Sequence, residues 1–481
     1  MQRGVAVRSR EPANSTLSGI DGALRAVGAG ATVRLVATGV NSAGALASVV
    51  VAVRLLGTAS YGRLAFLLSI VALLTAMSRV GWGLATVRAV SDTAGGRGAD
   101  AGVVSTASSV LALAVASSVV GALAIAAIVP WTVRDVDPHT RLLLVAGLSL
   151  MVAGTNAAAA ASSVARGLGR VVLAETPDLT VTLVRLSIFV LLAVAGVRSF
   201  GPIAVMLGAT GAAALVVSYS SLRLCLARRP RLRDTDRSAV RALLTTSIPF
   251  VVQGLAVMTV ARFDVLVLGL TGSRLAVGQY EGTLRITERL LQFLPFLLLP
   301  QYLPTATRLW RHADGEAFGR LYRTVCTLSL ALAVPIVVAL AVFPEALLHL
   351  LYGRQFPARP ALVWILLVGF LPYAVVATSW SALASTGANR VLLRVSVLTF
   401  AVMVVTALAL IPMFGGMGAA IATAVSILTH QVAAAVALHR RTGVHAFDRR
   451  LLGMMAASAV LLAAAIVLRQ LSATAPAWSS A

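Results

Sequence analysis

The sequence predicts an all-α polytopic membrane protein: two six-helix bundles, related as a parallel internal repeat around a central cavity, plus about one extra C-terminal helix. Three observations lead there. Of 481 residues, 58% are apolar and only 12% charged, with a mean hydropathy of +0.90; soluble domains run at about 45–50% apolar and about 25% charged. Half the usual charge cannot coat a globule of this size, so much of the surface faces lipid, and the same apolar content excludes disorder. Thirteen apolar stretches succeed one another along the chain, and short motifs of the first half return in order in the second.

Residues 1–32 carry Arg3, Arg8, Arg10 and Arg25 among small and polar residues, without the apolar core and cleavage site of a signal peptide. They read as a cytoplasmic N-terminal tail. Apolar stretches follow at 33–56, 63–87, 104–129, 142–166, 176–197, 201–222, 246–269, 280–304, 325–348, 361–385, 391–413, 416–438 and 451–469, with a polar tail at 470–481. Each is long enough to cross a hydrocarbon core of about 30 Å at about 1.5 Å per residue.

Arginine placement orients the stack. All forty basic residues are Arg and none is Lys, for a net charge of +23. With the N-terminus inside, twenty-five arginines fall in the tail and in the cytoplasmic connections, against nine on the opposite side. Every alternation follows the positive-inside rule. Topology therefore accounts for the basic charge, and nucleic-acid binding loses its support. The densest run, Arg223–Arg241, reads as a cytoplasmic linker that can also attract anionic lipid.

Several chemistries are excluded. A P-loop needs a Lys on the phosphates, and there is none. Cys225 and Cys326 are too few and too far apart for a disulfide framework, and no two His stand at ligand spacing beside a carboxylate. Asp135-Val136-Asp137 is a lone D-x-D in an outer loop, read as solvated surface. The 91–100 connection, SDTAGGRGAD, lacks the signature of major-facilitator transporters, and no nucleophile–base pair or HExxH run occurs. No catalytic residue, metal or cofactor is expected.

The repeat defines the halves. Gly167 and Arg170 match Gly387 and Arg390; Phe200-Gly201 matches Phe414-Gly415; Leu56-Gly57 matches Leu268-Gly269. The expected division is a six-helix bundle at 33–222, an Arg-rich linker at 223–245, a second bundle at 246–438 and an extra helix at 451–469. An even number of helices per unit keeps both copies in one orientation, with an axis along the membrane normal and a cavity between them. That is transporter architecture.

LLGTASYGRLAF (55–66), SRVGWGLATVRAVSD (78–92), RGLGRVVLAE (166–175), FDVLVLGL (263–270), VGQYEGTLRI (277–286), LLYGRQFPARPALVWIL (350–366) and IPMFGGMGAAIATAVS (411–426) form an ordered series. It resembles the polysaccharide flippase branch of the multidrug/oligosaccharidyl-lipid/polysaccharide exporter superfamily, over about residues 33 to 438. The resemblance implies alternating-access transport of a lipid-linked oligosaccharide across the bacterial plasma membrane, without ATP. The partners it implies are the lipid-linked glycan, membrane lipids, and a polysaccharide polymerase with its glycosyltransferases. Members usually have twelve or fourteen helices, so thirteen is a departure.

Ionisable residues inside the bilayer are functional candidates. Arg34, Arg79, Arg185, Arg262, Arg285 and Arg289 fall within apolar segments, against Asp264, Glu281, Glu288 and the inner-edge Asp178. Glu281, Arg285, Glu288 and Gln292 share one helix face by spacing. Arg262 and Glu288 lie at similar depth and are expected to pair, so Asp264, Glu281, Glu288 and Arg289 are ion-pair or coupling candidates. Arg34 and Arg79 can alternatively snorkel to the headgroups. The surplus of arginine suits an anionic cargo such as a diphosphate, which makes Arg185, Arg262, Arg79, Arg285 and Arg34 the substrate-binding candidates. A cation-exporting multidrug antiporter of the same architecture is the alternative, and its N-terminal cavity should hold unpaired carboxylates. A non-transporting scaffold of a synthesis complex is the third reading.

Overall fold

The computed structural model of the chain describes residues 14–79, 82–94, 99–134, 136–197, 199–226, 228, 230–376 and 378–474, with side chains except over 14–31, 248–260, 293–301 and a few single positions. Helices α1 (Asn14–Leu56), α2 (Thr58–Arg79), α3 (Trp82–Ala94), α4 (Ala99–Thr132), α5 (Pro138–Gly167), α6 (Val171–Val194) and α7 (Phe200–Cys225) make the first half. After a 3-10 turn at Leu232–Asp234 come α8 (Arg237–Thr271), α9 (Arg274–Arg311), α10 (Gly315–Val342), α11 (Pro344–Tyr352), α12 (Pro360–Val376), α13 (Thr378–Ser385), α14 (Asn389–Phe414), α15 (Gly416–Thr442) and α16 (Arg449–Thr474). No strand occurs among the described residues.

The all-α polytopic class is therefore as the sequence predicts. Eleven spans among the described residues are long and apolar enough to cross a membrane. The two other predicted segments lie in α8 and α9, helices of 35 and 38 residues that carry the buried charges. Boundaries differ in physical ways. The stretch expected as tail is helical from Asn14, and the expected linker is helical from Arg237, where Asp236 caps α8 by accepting from Ser238 N at 2.8 Å. The predicted 325–348 segment ends at Val342, and Pro344 opens the separate α11, as proline favours a first helical position. The predicted 361–385 segment is covered by α12 and α13, which flank residue 377 outside the described residues.

The repeat is visible in the packing. α1 lies on α6, α6 on α7 and α5 on α7; in the second half α8 lies on α14, α14 on α15 and α12 on α15. The turns give the register. Gly169 (φ 72°) precedes α6 and Gly387 (φ 73°) precedes α14; Gly196 (φ 67°) and Gly415 (φ 55°) follow those helices. Left-handed backbone at a helix end selects glycine. The expected matches of Gly167 with Gly387 and Gly201 with Gly415 are thus displaced by a few residues, because Gly167 and Gly201 sit inside helices. α16 packs on α10 with only 6% of its apolar window buried, the peripheral position expected of an extra helix.

The halves meet along α2, α8 and α9. At one end of that seam the backbones touch: a Cβ on Gly62 would lie 2.0 Å from Arg274 O, and one on Gly278 would lie 1.9 Å from Thr58 O. Nothing larger than glycine fits there. Nearby, Arg54 at the end of α1 donates from Nε to Leu351 O and from Nη2 to Leu350 O, each at 2.6 Å. Those carbonyls belong to the last turn of α11, where helix acceptors lack intrahelical partners.

Candidate functional site

Helical spacing on α9 puts Glu281, Arg285 and Glu288 on one face, turned toward the seam. Arg262 reaches in from α8. Its Nη1 donates to Glu281 Oε1 at 2.9 Å, and Arg285 Nε donates to the same oxygen at 2.7 Å. Arg285 Nη1 then bridges to Glu288 Oε2 at 2.5 Å. Glu281 and Arg285 are buried, whereas the side chains of Arg262 and Glu288 remain 25% and 20% exposed. Removing one partner from so buried a chain would cost about 3–5 kcal/mol.

Two more arginines join this group without a carboxylate of their own. Arg185 on α6 is half-buried, and its electrostatic neighbours are Arg289, Arg262 and Tyr61. Neither Arg185 nor Arg289 is within ion-pair distance of an acid among the described residues. Arg185 Nε, Arg285 Nη2 and Glu281 Oε2 are buried and make no hydrogen bond among the described residues. Four guanidinium groups thus face two carboxylates, and three polar atoms at the seam have unused hydrogen-bonding capacity. Guanidinium N–H pairs match phosphate oxygens in both charge and geometry.

Asp264 stands apart from this chain. It is 1% exposed, and its Oδ2 accepts from Tyr280 Oη and from Thr423 Oγ1 (2.8 Å), while its Oδ1 accepts from Val265 N at 2.7 Å. Its partners are hydroxyls and backbone, not cations. It is a carboxyl site inside the second half, joining α8, α9 and α15.

The structure brings together Arg185, Arg262, Arg285, Arg289, Glu281 and Glu288 of the sequence candidates. The expected Arg262–Glu288 pair is instead Arg262–Glu281, because Arg285 lies between and takes Glu288. Arg34 is exposed on α1, and none of the cluster's ion pairs reaches it. Arg79 ends α2, and its side chain lies outside the described residues, as does Asp135 of the D-x-D. Asp137 caps α5, accepting from Thr140 N at 2.8 Å, and that hydrogen bond holds its carboxyl below the usual range. Sequence reasoning missed Tyr61, Arg54, Tyr280 and Thr423. Tyr61, Tyr280 and Thr423 carried a signal, each sitting in a quoted motif (55–66, 277–286 and 411–426); Arg54 did not.

A family profile described as "Polysaccharide biosynthesis protein" matches residues 50–360, well over half of the chain. The chain belongs to the polysaccharide biosynthesis protein family. The sequence resemblance to the polysaccharide branch is borne out by that match. No curated protein matches by sequence. Among solved structures, the fold of this polysaccharide biosynthesis protein superposes on lipid II flippase MurJ in an inward closed conformation, with TM-score 0.70, 11% identity, and coverage of 89% of this chain and 91% of that one. An inward-facing multidrug resistance MATE family transporter of the MOP superfamily superposes with TM-score 0.69, 14% identity, and coverage of 86% and 98%. An outward-facing structure of the same description gives TM-score 0.59, 14% identity, and coverage of 87% and 95%. At these identities the likeness shows the fold of MOP-superfamily transporters.

Proposed function

We propose that this polysaccharide biosynthesis protein is a flippase: it moves a lipid-linked oligosaccharide precursor across the bacterial plasma membrane by alternating access, and it is not an enzyme. The observation that carries the reading is the arginine surplus at the seam, with Arg185 Nε buried and unmet beside Arg262 and Arg289. The diphosphate between glycan and polyprenol is an anion that must leave water to cross. In a low-dielectric seam it needs opposite charge and paired donors, and a pre-formed guanidinium cluster supplies both. Arg185, Arg262, Arg285 and Arg289 form the proposed contact set. Arg79, at the opposite end of α2 from the cluster, and Arg34 are assigned to the approach from the cytoplasmic leaflet. Asp264, Glu281 and Glu288 are the proposed coupling or ion-pairing acids. The likeness in fold to a lipid II flippase supports the same class of cargo. The N-terminus and the 226–236 connection are cytoplasmic in this reading, and a polymerase and glycosyltransferases act on either side of the transport step.

The multidrug antiporter is the weaker reading. Its cationic cargo would need unpaired acids deep in the first half; Glu175 there is paired with Arg166 at 3.3 Å, which leaves that reading only the exposed, inner-edge Asp178 among the acids of α6. The test is Arg185→Ala in a strain whose glycan export depends on this chain. Lipid-linked oligosaccharide should accumulate on the cytoplasmic leaflet while the protein reaches the membrane in normal amount. Arg185→Lys should keep part of the activity, since it retains charge and loses the fork. Full export by the Arg185→Ala, Arg262→Ala double variant would overturn the mechanism.

A further inference from the structure

A second cationic site lies away from the seam, at the start of α14. Gly387, Ala388, Asn389, Arg390, Val391, Arg394 and Arg441 line a cleft of about 470 Å³. Arg390 and Arg394 are one helical turn apart on α14, a like-charge spacing that destabilises a helix unless an anion offsets it. Neither has a carboxylate within ion-pair distance among the described residues. Arg441 comes from the end of α15 and is held in place by Thr386, through Nε to Oγ1 at 3.0 Å and Nη2 to O at 3.2 Å. Three of its five guanidinium N–H groups stay free for the cleft. No side chain caps the first turn of α14, so the helix dipole adds to the same field.

The internal repeat supplies a control. In the first half the corresponding turn, around Gly169, has Arg166 paired with Glu175, and Arg170 donates to Leu224 O. Carrying Glu175 forward by the 218 residues that separate Gly169 from Gly387 lands on Leu393, beside Arg394. One copy of the turn is neutralised by its own acid, and the other has no acid at that position and a further arginine next to it. Topology alone asks for positive charge on this face but not for its convergence on a cleft.

We propose that the α13–α14–α15 cleft binds a phosphate group, and that its source is the headgroup of an anionic phospholipid in the cytoplasmic leaflet. α14 is an apolar span from its first residue, so the cleft sits where headgroups lie, with Val391 on its apolar edge. A soluble diphosphate shares the chemistry and is the other arm of the test. The site is separate from the seam, so its failure leaves the flippase reading untouched, and the converse holds.

The experiment uses the purified full chain in neutral detergent. Thermal midpoint and apparent Kd are measured with dioleoyl phosphatidylglycerol, with dioleoyl phosphatidylcholine, and with inorganic pyrophosphate. The expected result is saturable stabilisation by phosphatidylglycerol over phosphatidylcholine. The Arg390→Ala, Arg394→Ala variant should bind it at least about tenfold more weakly, since charge-assisted contacts to two arginines are lost. Arg390→Lys with Arg394→Lys should recover part of the affinity. It also keeps the test open if the alanine variant fails to fold, which its lipid-free midpoint reports. Arg308→Ala with Arg311→Ala, equal in charge and on the same face, should bind as the unaltered chain does. Binding of pyrophosphate but not phosphatidylglycerol, lost in the same variant, would keep the phosphate site and overturn its lipid source. Affinity unchanged in the Arg390 and Arg394 variants, or lowered equally in the control, would overturn the site itself.

Discussion

Arg54→Ala should open the sealed end of the seam. In the structure Arg54 makes two hydrogen bonds of 2.6 Å to Leu350 O and Leu351 O, at the carbonyl end of α11. A hydrogen bond to a charged group contributes about 1.5–3 kcal/mol. Arg54 is exposed, so solvent screening brings the two together down to about 2 kcal/mol. At about 1.4 kcal/mol per factor of ten, the closed form should lose about 30-fold in population relative to the open one. The backbone contacts of Gly62 and Gly278 remain, so the closed form still exists and is only less favoured. The assay is labelling of Tyr61→Cys by an impermeant thiol reagent in intact cells, with the buried Cys225 and Cys326 changed to Ser. While the open form is the minor one, the labelling rate follows its population. Arg54→Ala should raise that rate by about tenfold or more, and Arg54→Lys should fall between, since lysine keeps the charge but cannot reach both carbonyls in one plane. An unchanged rate in Arg54→Ala would refute the latch.

Three further outcomes are expected. Gly278→Ala places a methyl 1.9 Å from Thr58 O, so closure at that end should fail, with fast labelling at position 61 or a lowered thermal midpoint; neither change would mean that α2 and α9 do not seal as described. Arg262→Ala and Glu281→Ala should be non-additive in thermal stability by about 1–3 kcal/mol, and the proposed contact of Arg262 with cargo requires that the double variant still fail to export; restored export would reduce Arg262 to a structural partner of Glu281. Asp264→Ala leaves the Tyr280 and Thr423 hydroxyls without their shared acceptor and should lower stability by about 1–3 kcal/mol. Asp264→Asn keeps an acceptor oxygen and should lose less, and equal midpoints for both variants would contradict the buried carboxyl site.

Composition, periodicity and repeated motifs were enough to read the helices and their pairing into two halves, and arginine placement gave them an expected orientation. Those properties are set by the solvent. A bilayer demands long apolar helices whose backbone groups are satisfied internally, and it sorts arginine by side. The cationic character of the seam was legible too, because an arginine inside an apolar segment stands out against its neighbours. Partner choice was not. Arg262 and Glu288 agree in depth along their helices, yet Arg285 intervenes and turns Arg262 to Glu281. Helix rotation and side-chain reach decide that, and neither follows from depth. Asp264 lies two residues from Arg262 but on another face of α8, where Thr423, more than 150 residues away, becomes its partner. Arg54 had no marked place in the sequence; its role appears only where α11 brings its carbonyl end across the seam. Charge within a segment is a local property of the chain; which charge meets which depends on how packed helices are turned toward each other, and only the tertiary structure decides it.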